Sequence, residues 1–301
     1  MYATILTKEV LSLIYNLPAM IRRTALLILP VLLTGLFSVC YTQEINVITY
    51  NIRFDNPDDG ENRWDLRKEN LVQLLRGYDP DIFGIQEGLL HQVRFIDSAL
   101  VDYNYLGQGR DDGKNAGEFC ALFYKESAVT LLKQGFFWLS ETPDIPSVGW
   151  DAALNRICVY GLFEYGKTRH RFWVFNTHLD HKGMLAREKS AEMIVTRAAE
   201  MNTEQLPIIL LGDFNLEPGS EALSPVIRDF DDSRLACTGD IAGPAGTYNA
   251  FRFDLPVTQR IDYIFISKGK SEVMKYSVIA DSNEGFFPSD HFPVFVRVKL
   301  K

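Results

Sequence analysis

The chain has 301 residues, 47% of them apolar, which is enough for a sizeable core in one large domain or two small ones. Its formal net charge of −8 gives the surface no general attraction for nucleic acid, although a local basic rim could still hold a phosphate and leaves a nuclease open. Three of its cysteines follow residue 43; they allow at most one internal disulfide and show no metal-finger spacing, and Cys120 and Cys158, in apolar strands, are expected as buried free thiols.

At the N-terminus, Arg22 and Arg23 precede an apolar run at 25–39, and Cys40, Tyr41 and Thr42 follow it. This is the layout of a secretory signal, with Met20 as an alternative start, and the run is too short for a membrane span. Cleavage near Thr42 would release an exported, periplasmic or secreted protein and leave 28 basic against 38 acidic residues, a charge of −10. Lipid anchoring at Cys40 is the competing reading, disfavoured by the bulk of Val39 before it. The expected organisation is an export segment at 1–42 and a single catalytic domain at 43–301.

After residue 43, short apolar stretches alternate with helical patterns. A strand at 45–50 runs into Asn51, and a polar loop at 55–62 follows. Leu71, Leu74, Leu75 and Tyr78 fall at helical spacing, with Gly77 and Asp79-Pro80 as the stop. A strand at 81–86 ends in Glu87, and Leu89, Val93, Ile96 and Leu100 mark a second helix directly after it. A polar loop at 107–117 precedes strands at 119–124, 129–133 and 157–163, another at 142–155 stands before the last of these, and a polar turn at 164–169 leads into a strand at 172–177 that ends in His178. Ala191, Ile194, Val195 and Ala198 mark a third helix. A strand at 207–212, broken by Gly212, leads to Asp213 and Asn215. A loop at 241–249 precedes a strand at 260–267 that contains Asp262, and Asp290-His291 stands before a last strand at 292–298. The pattern is mixed α/β with much antiparallel pairing, best met by two stacked sheets covered by helices. The long loops are expected to form the rim that selects the substrate.

Buried strands seldom end in acidic, amide or imidazole groups, because an unpaired buried carboxylate is costly. Their recurrence at Asn51, Glu87, His178, Asp213, Asn215, Asp262, Asp290 and His291 implies one polar pocket at one sheet edge, built for a metal ion and a phosphate. Glu87 and Asn51 offer hard oxygen ligands, and caps or turns are the structural alternative for each. Asp213 and Asn215, two positions apart, share a face of an extended chain, where one could move a proton and the other donate to a phosphate oxygen. His291 is a natural general base if Asp262 fixes its tautomer, and His178 could stabilise the transition state or protonate a leaving group. Trp64, Trp150, Tyr248 and Phe251 are read either as a pocket lining for a sugar or lipid head group or as core.

Taken together, Thr49-Tyr-Asn51, Gln86-Glu87, Asn176-Thr-His178, Gly212-Asp-Phe-Asn215, Arg260-Ile-Asp262 and Ser289-Asp-His291 resemble the motifs of the endonuclease/exonuclease/phosphatase superfamily, over essentially the whole of 45–300. The resemblance implies an α/β four-layer sandwich of two central mixed, largely antiparallel sheets flanked by helices. It also implies hydrolysis of phosphoesters with Mg²⁺, or with Mn²⁺ or Ca²⁺ in its place. By that resemblance Asn51, Glu87 and Asp290 sit at the metal, and His178, Asp213, Asn215, Asp262 and His291 carry the chemistry. Arg53 and Arg156 stand where relatives place phosphate-contacting basic residues, with surface ion pairs as the alternative. Arg53 occupies a place that is acidic in abasic-site endonucleases. The acidic insertion at 55–64 would repel a long polyanion. The expected activity is therefore a phosphoester hydrolase acting on a small-molecule or lipid-linked phosphoester, with a secreted nuclease and a non-catalytic binding module as alternatives.

Overall fold

The computed structural model describes residues 43–166, 168–282 and 285–301; the export segment inferred at 1–42, with Met20 and Cys40, lies outside the described residues. Along β1 (Gln43–Asn51) buried side chains follow one another with little polar alternation, the mark of a strand covered on both faces. Ile45 and Val47 enter one core, Ile48 and Tyr50 another. In β2 (Ile82–Gly88), Ile82 joins the first core while Phe83 and Ile85 join the second. The same doubling recurs in β7 (Arg171–His178) and β8 (Ile208–Asp213), where Val174 and Ile209 face one way and Phe175 and Leu210 the other.

These strands belong to two mixed sheets. The seven-stranded sheet has the order β10 (Cys237–Ala242), β12 (Ser271–Val278), β13 (Val294–Leu300), β1, β2, β4 (Phe119–Lys125), β3 (Tyr103–Gly109). The six-stranded sheet runs β5 (Val129–Trp138), β6 (Ile157–Tyr165), β7, β8, β11 (Asp262–Ser267), β9 (Phe230–Asp232). Pairing is parallel at β1–β2, β7–β8 and β10–β12 and antiparallel elsewhere. One core lies between the sheets. Helices α1 (Trp64–Tyr78) and α2 (Leu90–Ala99) bury Leu71, Leu75, Val93 and Ile96 against the outer face of the first sheet. Helix α3 (Met184–Met201) buries Ala191, Ile194, Val195 and Ala198 against the second. Short helices α4 (Ser224–Asp229) and α5 (Ser233–Ala236) flank β9. The α/β four-layer sandwich expected from the sequence is the architecture observed. Among the described residues, no helix is long and apolar enough to cross a membrane.

Several boundaries differ from the sequence reading. Gly212 does not break its strand: β8 continues through it to Asp213, because Gly212 adopts φ 148° where a Cβ would run into the Thr177 carbonyl of the neighbouring strand. Helix α1, by contrast, ends at Tyr78 with Asp79 as its cap in the left-handed region (φ 47°), within the stop expected at Gly77 and Asp79-Pro80. The stretch 55–62 is largely a 3-10 helix (Pro57–Asn62), capped by the Asn56 side chain accepting from the Asp58 N–H. Strand β5 extends to Trp138, and residues expected in loops at 107–109 and 241–242 belong to β3 and β10. β12, with two charged residues among eight, carries no clear apolar signal in the sequence and is held by its register with β13. Among the described residues Cys120 and Cys158 are buried and free, as expected.

A buried polar clip joins the sheets just below the end where the site lies. Asn176 on β7 donates to the carbonyls of Ile85 (3.0 Å) and Ala121 (2.8 Å), register partners in the other sheet. Its own oxygen accepts from Gln86 Nε2 at 2.7 Å, and Gln86 also reaches Thr49 Oγ1 at 3.1 Å. Thr49, Gln86 and Asn176 are all fully buried, so removing the amide leaves several orphans. Asn176→Ala should cost about 3 kcal/mol, a fall in Tm of roughly 6–12 °C by calorimetry for a chain of this size. A Tm within about 2 °C of wild type would contradict the clip.

Candidate active site

Strand register converts distant sequence positions into neighbours. β1 and β2 run parallel, with Asn51 opposite Gln86, so Asn51 and Glu87 emerge at the same end of the first sheet. In the second sheet His178 stands opposite Asp213, and Asp213 opposite Asp262, a row across three strands. Glu87 leaves β2 with φ 64°, and Arg53 (φ 55°) and Asn215 (φ 50°) also occupy the left-handed region. Side chains other than Asn, Asp and His rarely adopt it, so Glu87 and Arg53 are held in strained backbone.

Asp213 is the hub. Its Oδ2 accepts from Asn51 Nδ2 at 2.9 Å and lies 3.6 Å from His178 Nε2 and 3.8 Å from His291 Nε2. Its Oδ1 accepts from the Asn215 N–H at 2.9 Å, so a tight turn and not strand alternation brings Asn215 back to the site. His291 Nδ1 lies 2.8 Å from Asp262 Oδ2, which fixes the ring with Nε2 turned to Asp213. Asn51 donates to Glu87 Oε1 at 3.0 Å as well as to Asp213, while its own oxygen accepts from the Arg53 N–H. In this arrangement Asn51 acts as a spacer between two carboxylates. Glu87 Oε2 also accepts from the Phe54 N–H.

The two histidines sit in opposite electrostatic settings. Burial lowers the pKa of His178, and Arg156 and Arg110 lower it further, so the ring is neutral. Asn215 Nδ2, which also donates to the Leu179 carbonyl, lies 3.1 Å from His178 Nε2; the neutral ring therefore carries its proton on Nδ1. Burial also pulls His291 down, but Asp262, Asp213 and Asp290 outweigh it and hold the imidazolium well above its usual range. Burial and then Asp262 push Asp213 up to about 7. Asp290 is raised by burial, with a further push from Glu87.

Of the ten residues expected at the site, Arg53, Glu87, Arg156, His178, Asp213, Asn215, Asp290 and His291 line one cleft of about 540 Å³, while Asn51 and Asp262 are fully buried behind it. Arg53 is held by Asp59 through Nε (3.0 Å) and Nη2 (2.9 Å), and its Nε lies 3.9 Å from Asp290. Arg156 lies 3.3 Å from Asp180 and keeps a buried Nη1 without a partner among the described residues. Of the four aromatics, Tyr248 lines the cleft and packs edge-on against His291. Trp64 is core against Phe95, Trp150 lies in a separate surface depression, and Phe251 is outside the cleft lining.

Sequence reasoning missed several contributors. Arg110 grips Glu118 through two nitrogens (2.7 and 2.8 Å), and Glu118 Oε2 stands 3.9 Å from His178 Nδ1. Both come from the hairpin loop at 107–117 and its end, a stretch legible only as polar. Arg67, buried on α1, donates to the carbonyls of Ile52, Arg53 and Pro288 and so ties the two loops under the site. Thr247, in the stretch expected to be rim, is instead a clamp: its Oγ1 accepts from the N–H groups of Ile261 and Asp262, and its carbonyl from Phe292.

The donor set fits a hard divalent cation. Glu87 and Asp290 offer carboxylate oxygens beside Asn51, and their mutual repulsion is of the kind an ion would relieve. Asp213, Asp262 and His291 also bring donor atoms within 4.8 Å of one another, with the Asp262–His291 hydrogen bond inside the group.

Because Asp213 is raised, the folded state holds its proton more tightly than the unfolded chain, so this group lowers stability as pH climbs from about 4 to about 7. In chelator-treated protein, Asp213→Asn should therefore raise Tm at about pH 8, with the gain fading toward about pH 4. A lower Tm at the alkaline end would contradict this reading.

The comparisons agree with this geometry. The endonuclease/exonuclease/phosphatase family model matches residues 48–291. A crystal structure of a family protein from Bacteroides thetaiotaomicron is 38% identical, covers 86% of this chain and 99% of its own, and superposes with a TM-score of 0.82. The mannosyl-6-phosphatase of Bacteroides thetaiotaomicron VPI-5482 is 39% identical over 84% of this chain and 99% of its own, with a TM-score of 0.79. The Ccr4 exoribonuclease subunit of Emericella nidulans is 23% identical over 79% of this chain, which spans 48% of that longer protein. The chain belongs to the endonuclease/exonuclease/phosphatase family of metal-dependent phosphoester hydrolases.

Proposed function

We propose that the chain is a Mg²⁺-dependent phosphatase acting on a small hydroxylated phosphoester, a sugar phosphate foremost. The observation that carries this reading is the cleft itself. About 540 Å³ is a small-molecule volume, and Arg53, Arg110 and Arg156 line it together with the acid–base groups. Phe54 and Tyr248 are the aromatics among the lining residues, which is no platform for stacking successive bases. The likeness to the mannosyl-6-phosphatase supports the same class. An exported location, from the segment at 1–42, belongs to this reading as well.

In the proposed reaction Arg156, whose buried Nη1 is unpaired among the described residues, holds the phosphoryl group, and Asn215 keeps His178 in its neutral Nδ1–H tautomer. Asp213 and His291 lie side by side with pKa values displaced toward neutrality and above it, so one proton moves easily between them and a water at the phosphorus. Asp262 keeps His291 oriented throughout. Glu87 and Asp290, beside Asn51, would hold the cation, which when bound supplies Lewis-acid stabilisation of the charge growing on the phosphoryl oxygens.

The test is hydrolysis with Mg²⁺ and with chelator, followed as phosphate release for hexose 6-phosphates and as formation of the cleaved products for a lipid phosphodiester and oligonucleotides. Chelator-sensitive turnover of the hexose phosphates is expected to dominate, and cleavage of oligonucleotides alone would overturn the substrate assignment. His291→Ala and Asp213→Ala should each lower kcat by about a thousandfold or more with the fold intact. Near-normal turnover in either variant would remove that residue from the mechanism.

A further inference from the structure

The motif Asn176-Thr-His-Leu-Asp-His181 carries a second histidine that the mechanism leaves unused. His178 closes β7, and the chain then turns toward α3 through Asp180, His181, Lys182 and Gly183. That turn is firmly held. Asp180 Oδ1 accepts from the N–H groups of Lys182 (2.9 Å) and Gly183 (2.8 Å), and Arg187 donates to the Asp180 carbonyl at 3.1 Å. His181 therefore stands on a rigid support, and it lines the same cleft as His178 and Asp213.

Its chemistry is also set. Arg156 Nη2 lies 3.0 Å from His181 Nδ1, and a guanidinium only donates, so Nδ1 accepts and the ring proton resides on Nε2. Burial and the nearby Arg156 charge lower its pKa, which keeps the ring neutral. Asp180 in turn pairs with Arg156 Nε at 3.3 Å, so His181, Arg156 and Asp180 form one braced unit. The side chain of His181 is 43% exposed and that of His178 only 7%, so His181 stands farther out along the wall than the groups around Asp213. A neutral N–H donor in that place suits a hydroxyl oxygen better than a second phosphate.

We propose that His181, braced by Arg156 and Asp180, is a specificity-determining residue whose Nε2–H binds a hydroxyl of the leaving alcohol. The proposal rests on the small-phosphoester reading above and adds which part of the substrate is recognised and by what. An alcohol without hydroxyl groups leaves this donor unpaired and gains nothing from it. A hydroxyl-rich alcohol is held in place by it, so discrimination between the two should depend on this side chain.

The experiment measures kcat and KM for wild type, His181→Ala and His181→Gln on mannose 6-phosphate and on phenyl phosphate, with Mg²⁺ present. In the alanine variant, the ratio of kcat/KM for the sugar phosphate to that for the aryl phosphate should fall about tenfold, mainly through KM for the sugar. Glutamine, which restores an N–H donor, should recover much of the ratio. An unchanged ratio, or equal losses on both substrates, would overturn the assignment and leave His181 a structural residue. A glutamine variant no better than alanine would overturn its role as donor. If the wild type turns over neither sugar phosphates nor phenyl phosphate, the substrate reading fails first, in the wild type itself, and the proposal falls with it.

Discussion

Like charges buried close together are the constraint on which the rest of this structure depends. Glu87, Asp213, Asp262 and Asp290 converge where the two sheets end, and the last three are nearly inaccessible to water. Left alone, such a group would neutralise itself by taking up protons, and the upward displacement of Asp213 and Asp290 shows that tendency. The fold counters it with aimed donors: Asn51 between Glu87 and Asp213, His291 on Asp262, and backbone N–H groups on Asp213 and Glu87. The shortfall that remains is of the kind a bound cation would relieve.

Strand register and the inter-sheet clip make that convergence possible. Parallel pairing at β1–β2 and β7–β8 brings like ends of strands together, so groups at strand ends meet without long loops. Asn176 then locks one sheet to the other directly beneath the site. Because the clip is fully buried, the positions of Asn51, Glu87, His178, Asp213 and Asp262, all on strands, depend on strand register and not on rim loops. The opposite settings of His178 and His291 follow from which neighbours this scaffold supplies: arginines for one, carboxylates for the other.

The four-layer plan was legible because its central strands are apolar on both faces and its three main helices carry regular apolar spacing. The site was legible because strand ends such as Asp213 and Asp262 bear groups that a core excludes. Edge strands were harder. β10 is exposed along most of its length and β12 mixes charged with apolar residues, so neither shows the pattern of a buried strand. Arg110, Glu118 and Arg67 escaped notice for a related reason. Their importance lies in contacts to remote backbone or to each other, and a single arginine in a polar loop or on a helix gives no sign of that. Gly212 was misread because its unusual φ answers a close approach from Thr177, which only the neighbouring strand reveals.

The most direct test of the central claim is the thermal stability of the protein with chelator and with increasing Mg²⁺. A buried, under-compensated acidic cluster predicts a saturable rise in Tm as the ion binds the folded state alone, and Glu87→Gln should blunt that rise. A Tm that is indifferent to Mg²⁺ in the wild-type protein would contradict it.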